Sequence, residues 1–342
     1  MTMGQSDGCG TEVLDGRDPA SISKAADILK SGGLVAFPTE TVYGLGADGL
    51  SQSAVEKIYE AKGRPKNNPL ILHVASIEAA VPLVVDWPRM AQELADKYWP
   101  GPLTIVLRAS GLVPDIVKAG NPTVALRSPA HPVALDLLRA FNGPLAAPSA
   151  NRATELSPTK SEHVVKALGG AVGLVLDGGP TSAGIESTII NLAETPPRVL
   201  RPGPISITEL EETVGSIAVF CGAIERGATQ AAPGMSIRHY APNAKLSVHR
   251  PDELLEVMNG LARGGGKFAA IVFGEDISVP QELHGCTIKR LPGDPRGAMA
   301  NIYATLHDLD SIGCQNVLVQ EPPQSDEWLA MRDRLSRAAS KE

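Results

Sequence analysis

Three cations, Lys62, Arg64 and Lys66, fall close together in AKGRPKNNPLILHV (Ala61–Val74), between a helical pattern and an apolar run that reads as a strand. Lys and Arg at the mouth of an α/β sheet are placed to neutralise phosphate oxygens. The plainer reading is a solvated helix end, where cations complement the dipole. A second stretch, FPTETVYGLGAD (Phe37–Asp48), sets two threonines, a glutamate, a tyrosine and two glycines between an apolar run and a helical pattern over Ser51–Lys62. Three further segments share that style of small or hydroxyl residues, a cation and rigid prolines: TVALRSP (Thr123–Pro129), AAPSANRATELSPT (Ala146–Thr159), and ESTIINL with RVLRPGPI (Glu186–Ile205). Arg127 and Arg201 each follow a β-like run and precede a proline turn. Ligands of open α/β sheets sit beyond the carboxyl ends of strands. PTETVYG, KGRP, LRSP, PSAN, EST and LRPG can therefore converge on one cavity of hydroxyls and cations, without an acid–base pair or nucleophile. Such a cavity suits a small amino acid beside a nucleoside triphosphate. Two members also have plainer readings: His73 as a core strand histidine and Ser149 as a turn serine.

Other chemistry is poorly supported. GLGADG matches a dinucleotide fingerprint at Gly44, Gly46 and Gly49, but Pro38–Tyr43 separates it from the strand and no acid follows at the required distance. GGGKF around Lys267 has Leu261 where a phosphate-binding loop needs its first glycine and Phe268 where it needs Ser or Thr. The seven histidines show no metal-ligand spacing, and no G-x-S-x-G elbow occurs. Cys9, Cys221, Cys286 and Cys314 form no C-x-x-C pair, so a structural zinc site is not expected and a reducing, cytoplasmic location is. The formal net charge of -7 argues against broad nucleic-acid binding, and no apolar run is long enough to span a membrane.

The elements that must position these residues alternate in an α/β pattern. Helices are expected over Ser21–Lys30, Ser53–Lys62, Arg89–Trp99, Pro132–Phe141, Lys160–Leu168 and Ile207–Val214. Strands are expected over Leu34–Phe37, Leu70–Val74, Leu103–Leu107, Thr123–Leu126, Gly173–Leu176, Ser187–Leu192 and Arg198–Leu200. Cys221–Lys245 shows no periodicity and reads as a linker or a functional loop. Beyond it, strands Leu246–His249, Phe268–Phe273, Thr287–Arg290 and Asn316–Val319 alternate with helices Glu253–Arg263, Ala298–Leu309 and Asp326–Ala338, a small and largely parallel α/β domain.

Taken together, these segments resemble the threonylcarbamoyl-AMP synthase family in its two-domain form, with a YrdC-like catalytic domain; the match runs from about Ser21 to Ile205, and PGMSIRHYAP resembles the family's linker. The resemblance implies a twisted open sheet with helices and a large cavity, plus a smaller Rossmann-like domain. It divides the chain into a flexible tail (1–17), the catalytic domain (18–215), a linker or lid (216–244) and the C-terminal domain (245–342). It implies synthesis of L-threonylcarbamoyl-AMP from L-threonine, bicarbonate or carbon dioxide, and ATP, with magnesium arriving on the ATP. The product would pass to tRNA threonylcarbamoyl-transfer proteins, with room for a weak direct tRNA contact. By the same resemblance Thr41, His73, Arg127, Ser187 and the backbone of Ala147 face threonine. Lys62, Arg64, Asn68, Thr123, Ser149, Asn151, Ser157 and Arg201 face ATP, Tyr240 covers it, and Lys62 and Arg64 carry the catalytic charge. An oxidoreductase resting on GLGADG, an RNA-binding module and a carbamoyl-transfer enzyme are the competing readings; the chain lacks the zinc-finger and acylphosphatase-like additions expected of the last.

Overall fold

The computed structural model describes residues 10–220, 230, 232–234, 239–264, 267–275 and 285–340. Its first sheet contains β1 (Glu12–Asp15), β2 (Val35–Phe37), β3 (Gly44–Asp48), β4 (Ile71–His73), β5 (Leu103–Arg108), β6 (Thr123–Arg127), β7 (Leu145–Ala146), β8 (Leu174–Asp177), β9 (Thr188–Asn191), β10 (Arg198–Arg201) and β11 (Ala218–Val219). Their spatial order is β1-β8-β2-β3-β7-β4-β6-β5-β9-β10-β11, with parallel and antiparallel neighbours mixed. Alternation along the strands sorts side chains onto two faces. In β6, Val124 and Leu126 enter the main apolar core, while Ala125 joins Ile71, Val106 and Ile189 in a small cluster on the opposite face. That opposite face forms the floor of the cavity described below.

Two stretches differ from the sequence reading. GLGAD is not a turn into a helix. It is β3, antiparallel to β2, with Phe37 opposite Gly44 and Val35 opposite Gly46. The reason is steric: a Cβ on Gly46 would come within 2.8 Å of the Phe37 ring, so the glycine lets the ring lie flat across the hairpin. The expected tail, 1–17, includes β1, which pairs with β8 in register Glu12↔Leu174 through Asp15↔Asp177. Asp18 then caps helix Pro19–Lys30 by accepting from the Ala20 amide.

The second sheet contains β12 (Lys245–His249), β13 (Phe268–Phe273), β14 (Cys286–Leu291) and β15 (Asn316–Gln320), all parallel and ordered β12-β15-β13-β14. Central strand β13, FAAIVF, is buried throughout, as a strand covered on both faces must be. The two domains share apolar packing. Ile302, Phe273 and Met331 of the second domain lie in one buried cluster with Val42, Leu156, Ile185 and Tyr240. The linker is fastened as well, since the Ala241 amide donates to the Thr154 carbonyl at 3.0 Å.

Candidate active site

Strand register builds the first wall. His73 pairs with Arg127 across β4 and β6, so both side chains emerge on the cavity face two residues beyond Ile71 and Ala125. Burial, followed by the neighbouring Arg127 charge, depresses His73 to about 3, so the imidazole is neutral; its Nδ1 is buried without a hydrogen-bond partner. Arg127 pairs with Glu40 at 2.7 Å, and Glu40 also accepts from the Ala130 amide at 3.0 Å. Thr39 and Thr41 share a hydroxyl contact at 2.8 Å beside this wall.

The KGRP cluster divides. Ser51 caps helix Gln52–Lys62, and Gly63, at a φ of 61°, ends it in the left-handed conformation that glycine tolerates. Lys62 and Arg64 on either side of Gly63 are 2% and 8% exposed. Lys66 instead points to solvent and lies 3.7 Å from Glu56. The solvated-face reading therefore holds for Lys66 alone. Lys62 Nζ donates to the carbonyls of Ser149 and Asn151, and burial, then the Arg64 charge, pull its pKa well down. Arg64 donates to the Asn68 side chain and the Pro69 carbonyl and is lowered to about 10, chiefly by burial.

Arg201 reaches the same cavity by a different device. The β9–β10 ladder slips between Val199 and Arg201, so Arg201 pairs with Ile189 and shares its cavity face. Its guanidinium donates to the Ser187 carbonyl at 2.9 Å and to the Ser187 hydroxyl at 3.1 Å. Ser187 also shares a hydroxyl contact with Thr104 at 2.8 Å. The linker closes this side. Tyr240 is 1% exposed with a φ of 60°, an uncommon conformation for a non-glycine residue. Gly234 makes room for it: at a φ of 86°, a Cβ there would lie 2.4 Å from the Tyr240 hydroxyl.

The space remaining inside is about 40 Å³, walled by Thr41, Arg64, His73, Arg127, Ala147, Ser149, Ser187, Arg201 and Tyr240, all named from sequence. Lys62, Asn68, Asn151 and Ser157 are buried just behind that wall and brace it, while Thr123 at the start of β6 is half-buried and outside it. Met235, Ile237 and Arg238, within the linker motif PGMSIRHYAP, lie outside the described residues. Sequence reasoning missed Glu186, His239 and Glu40. Glu186 lies in the highlighted EST, but its role depends on an arginine 148 residues further along the chain. Burial acts to raise the Glu186 carboxyl, and Arg334, Arg201 and the Ser157 hydroxyl outweigh it and leave it below its ordinary value. His239 stays neutral because burial and the surrounding cations hold it well below the ordinary imidazole value.

Comparison with known proteins finds relatives along nearly the whole chain. A family model described as telomere recombination (Sua5, YciO and YrdC) matches residues 27–203, and one described as threonylcarbamoyl-AMP synthase, C-terminal domain, matches residues 205–340. A threonylcarbamoyl-AMP synthase of Pyrococcus abyssi is 38% identical over 92% of this chain and 93% of its own length. One from Bacillus subtilis is 38% identical over 96% of this chain and 95% of its own. The crystal structure of P. abyssi Sua5 complexed with L-threonine superposes with a TM-score of 0.87 at 37% identity, covering 96% of both chains.

Proposed function

The chain belongs to the Sua5 family of threonylcarbamoyl-AMP synthases, and from that premise we propose how its cavity performs the reaction. The enzyme makes L-threonylcarbamoyl-AMP from L-threonine, bicarbonate or carbon dioxide, and ATP, and releases pyrophosphate; the product serves threonylcarbamoyladenosine modification of tRNA. In our assignment threonine occupies the wall of Thr41, His73, Arg127, Ala147 and Ser187. Arg127 receives its carboxylate, and neutral His73 offers a polar contact without adding charge. ATP lies against Arg64, Ser149 and Arg201, with Lys62, Asn68, Asn151 and Ser157 fixing that side from behind and Thr123 at its edge.

No nucleophilic side chain is required. The threonine amine adds to carbon dioxide and loses a proton to give a carbamate. A carbamate oxygen then bonds to the α-phosphorus as the bond to the β-phosphate oxygen breaks, and pyrophosphate departs. Both carbamate and product are labile, so the protein's tasks are alignment, charge neutralisation and exclusion of water. Among the described residues lining the cavity the carboxylate is that of Glu186, already engaged by Arg334. The residues fit magnesium carried on the triphosphate, where it would neutralise phosphate charge, better than a protein cage.

One observation carries the assignment: Arg64, Arg127 and Arg201 converge on a space of about 40 Å³ that the linker's Tyr240 helps enclose. Ligand sites commonly measure some 300–1,000 Å³. The substrates therefore need the linker to move, and Tyr240 acts as a lid over ATP. We assign the finished anhydride to downstream transfer proteins and a cytoplasmic location, with any direct tRNA contact weak. No described helix is long and apolar enough to cross a membrane. Pyrophosphate release measured with and without L-threonine and bicarbonate tests the whole reading; release indifferent to both would overturn it.

A further inference from the structure

Arg334 belongs to the second domain's helix Leu329–Ala339, yet its partners border the first domain's cavity. The side chain is 1% exposed. Its Nε donates to Glu186 Oε2 at 2.9 Å, Nη2 donates to the Pro202 carbonyl at 3.0 Å, and the guanidinium lies 4.9 Å from the Tyr240 ring centre. Tyr303, in helix Pro295–Ser311, donates its hydroxyl to the same Glu186 oxygen at 3.2 Å and stacks on Tyr240 with ring centres 5.9 Å apart. The other Glu186 oxygen accepts the Ser157 hydroxyl at 2.5 Å, and the next residue, Ser187, holds Arg201. A single carboxylate thus ties Ser157 and the Ser187–Arg201 pair to two side chains of the other domain, which also grip the ring of Tyr240. Apolar residues of similar volume commonly hold an interface as firmly as a buried ion pair. This arrangement instead fixes directions.

We infer that Arg334, supported by Tyr303, is a positioning residue for the nucleotide side of the cavity: the second domain sets the place of Glu186 and of the Tyr240 ring, and through them Ser157 and Arg201. The inference rests on the nucleotide assignment made above. Acting through other residues, Arg334 should alter the use of ATP more than that of threonine.

The test uses full-length Arg334→Met, Arg334→Lys, Tyr303→Phe and the charge-balanced pair Arg334→Met with Glu186→Gln, with Arg64→Ala as reference. Pyrophosphate release gives KM and kcat for each substrate, and thermal melting reports folding. Arg334→Met and the charge-balanced pair should raise KM for ATP roughly tenfold to a hundredfold, the range expected when a reacting group is displaced by about an ångström. KM for threonine should change less, Arg334→Lys should recover part of the loss, and Tyr303→Phe should show a smaller defect of the same kind. If Arg334→Met does not fold, the charge-balanced pair decides. A folded charge-balanced or Arg334→Met enzyme with wild-type KM for ATP overturns the inference. If Arg64→Ala is also wild-type, the nucleotide assignment falls too; if only Arg64→Ala is impaired, the assignment stands and this inference alone is wrong.

Discussion

Arg127 stands beside His73 through the register of β4 and β6, and holds Glu40 at 2.7 Å. The guanidinium is thereby aimed before any ligand arrives. Arg127→Gln should raise KM for threonine at least tenfold with little change in KM for ATP. The loss of one charge-assisted contact is about 1.5–3 kcal/mol. Steady-state pyrophosphate release with each substrate varied in turn checks this; an unchanged KM for threonine would assign Arg127 to structure alone.

Lys62 and Arg64 should each prove necessary, for different reasons. Arg64 lines the cavity, whereas Lys62 ties the carbonyls of Ser149 and Asn151 to the helix end. Arg64→Ala should lower turnover at least tenfold, since about 1.5–3 kcal/mol of phosphate contact is removed, and should also melt a few degrees earlier because Asn68 and the Pro69 carbonyl lose their donor. Lys62→Met should lose at least as much activity and also melt a few degrees earlier, because two buried carbonyls lose their donor. Wild-type rates in both would make the cluster ornamental.

Selectivity between threonine and serine should be real but modest. The side chains differ by one methyl, worth about 1–3 kcal/mol in a fitted site. The ratio of kcat/KM values should therefore fall between about tenfold and two-hundredfold in favour of threonine. Equal values would show that the wall of Thr41 and Ala147 does not sense the methyl.

Gly234 offers a test of the linker that leaves its polar groups untouched. In Gly234→Ala the new Cβ would meet the Tyr240 hydroxyl at 2.4 Å, and the φ of 86° would strain any L side chain. The linker should dock less closely, and ATP hydrolysis without threonine should rise several-fold above wild type, as in Tyr240→Ala. A variant with unchanged threonine-independent hydrolysis would show that Tyr240 does not guard the nucleotide.

Acid should weaken the domain junction. His163 and His307, one from each domain, stack with ring centres 3.8 Å apart. Burial, each other and nearby Lys160 and Lys166 hold His163 at about 3, and burial likewise lowers His307. Both bind protons more readily when unfolded, so their contribution is present above the ordinary imidazole pKa and is lost as pH falls from about 6.5 toward 3. Melting curves at pH 7.5 and pH 4.5 should differ less in His163→Gln than in wild type, by about 2 °C or more. An equal acid shift in both proteins would refute the linkage.

Much of the site was legible because its residues sit in short motifs beside strand ends. LRSP and LRPG each place an arginine immediately after a β pattern, and for Arg127 period-two alternation tells which neighbours it joins. What escaped depended on partners remote in sequence. Nothing local in GLGAD announces a strand: the seating of the Phe37 ring against Gly46 is a property of the hairpin. Arg201 would point away from the cavity by simple alternation, and only the slip in β10 turns it inward. Glu186 looked like one more polar residue until Arg334, in the second domain, was found against it.

The space of about 40 Å³ left around Tyr240 has a kinetic corollary. A void that size is well below the roughly 300–1,000 Å³ of common ligand sites. On the proposed seating, either substrate waits for Tyr240 to swing aside. Apparent affinity is then the intrinsic affinity multiplied by the fraction of molecules standing open, and the observed binding rate levels off at the opening rate as substrate is raised. A chain biased tenfold toward closure would show a roughly tenfold weaker apparent affinity than its contacts supply, and stray nucleotides would be turned away by the same factor.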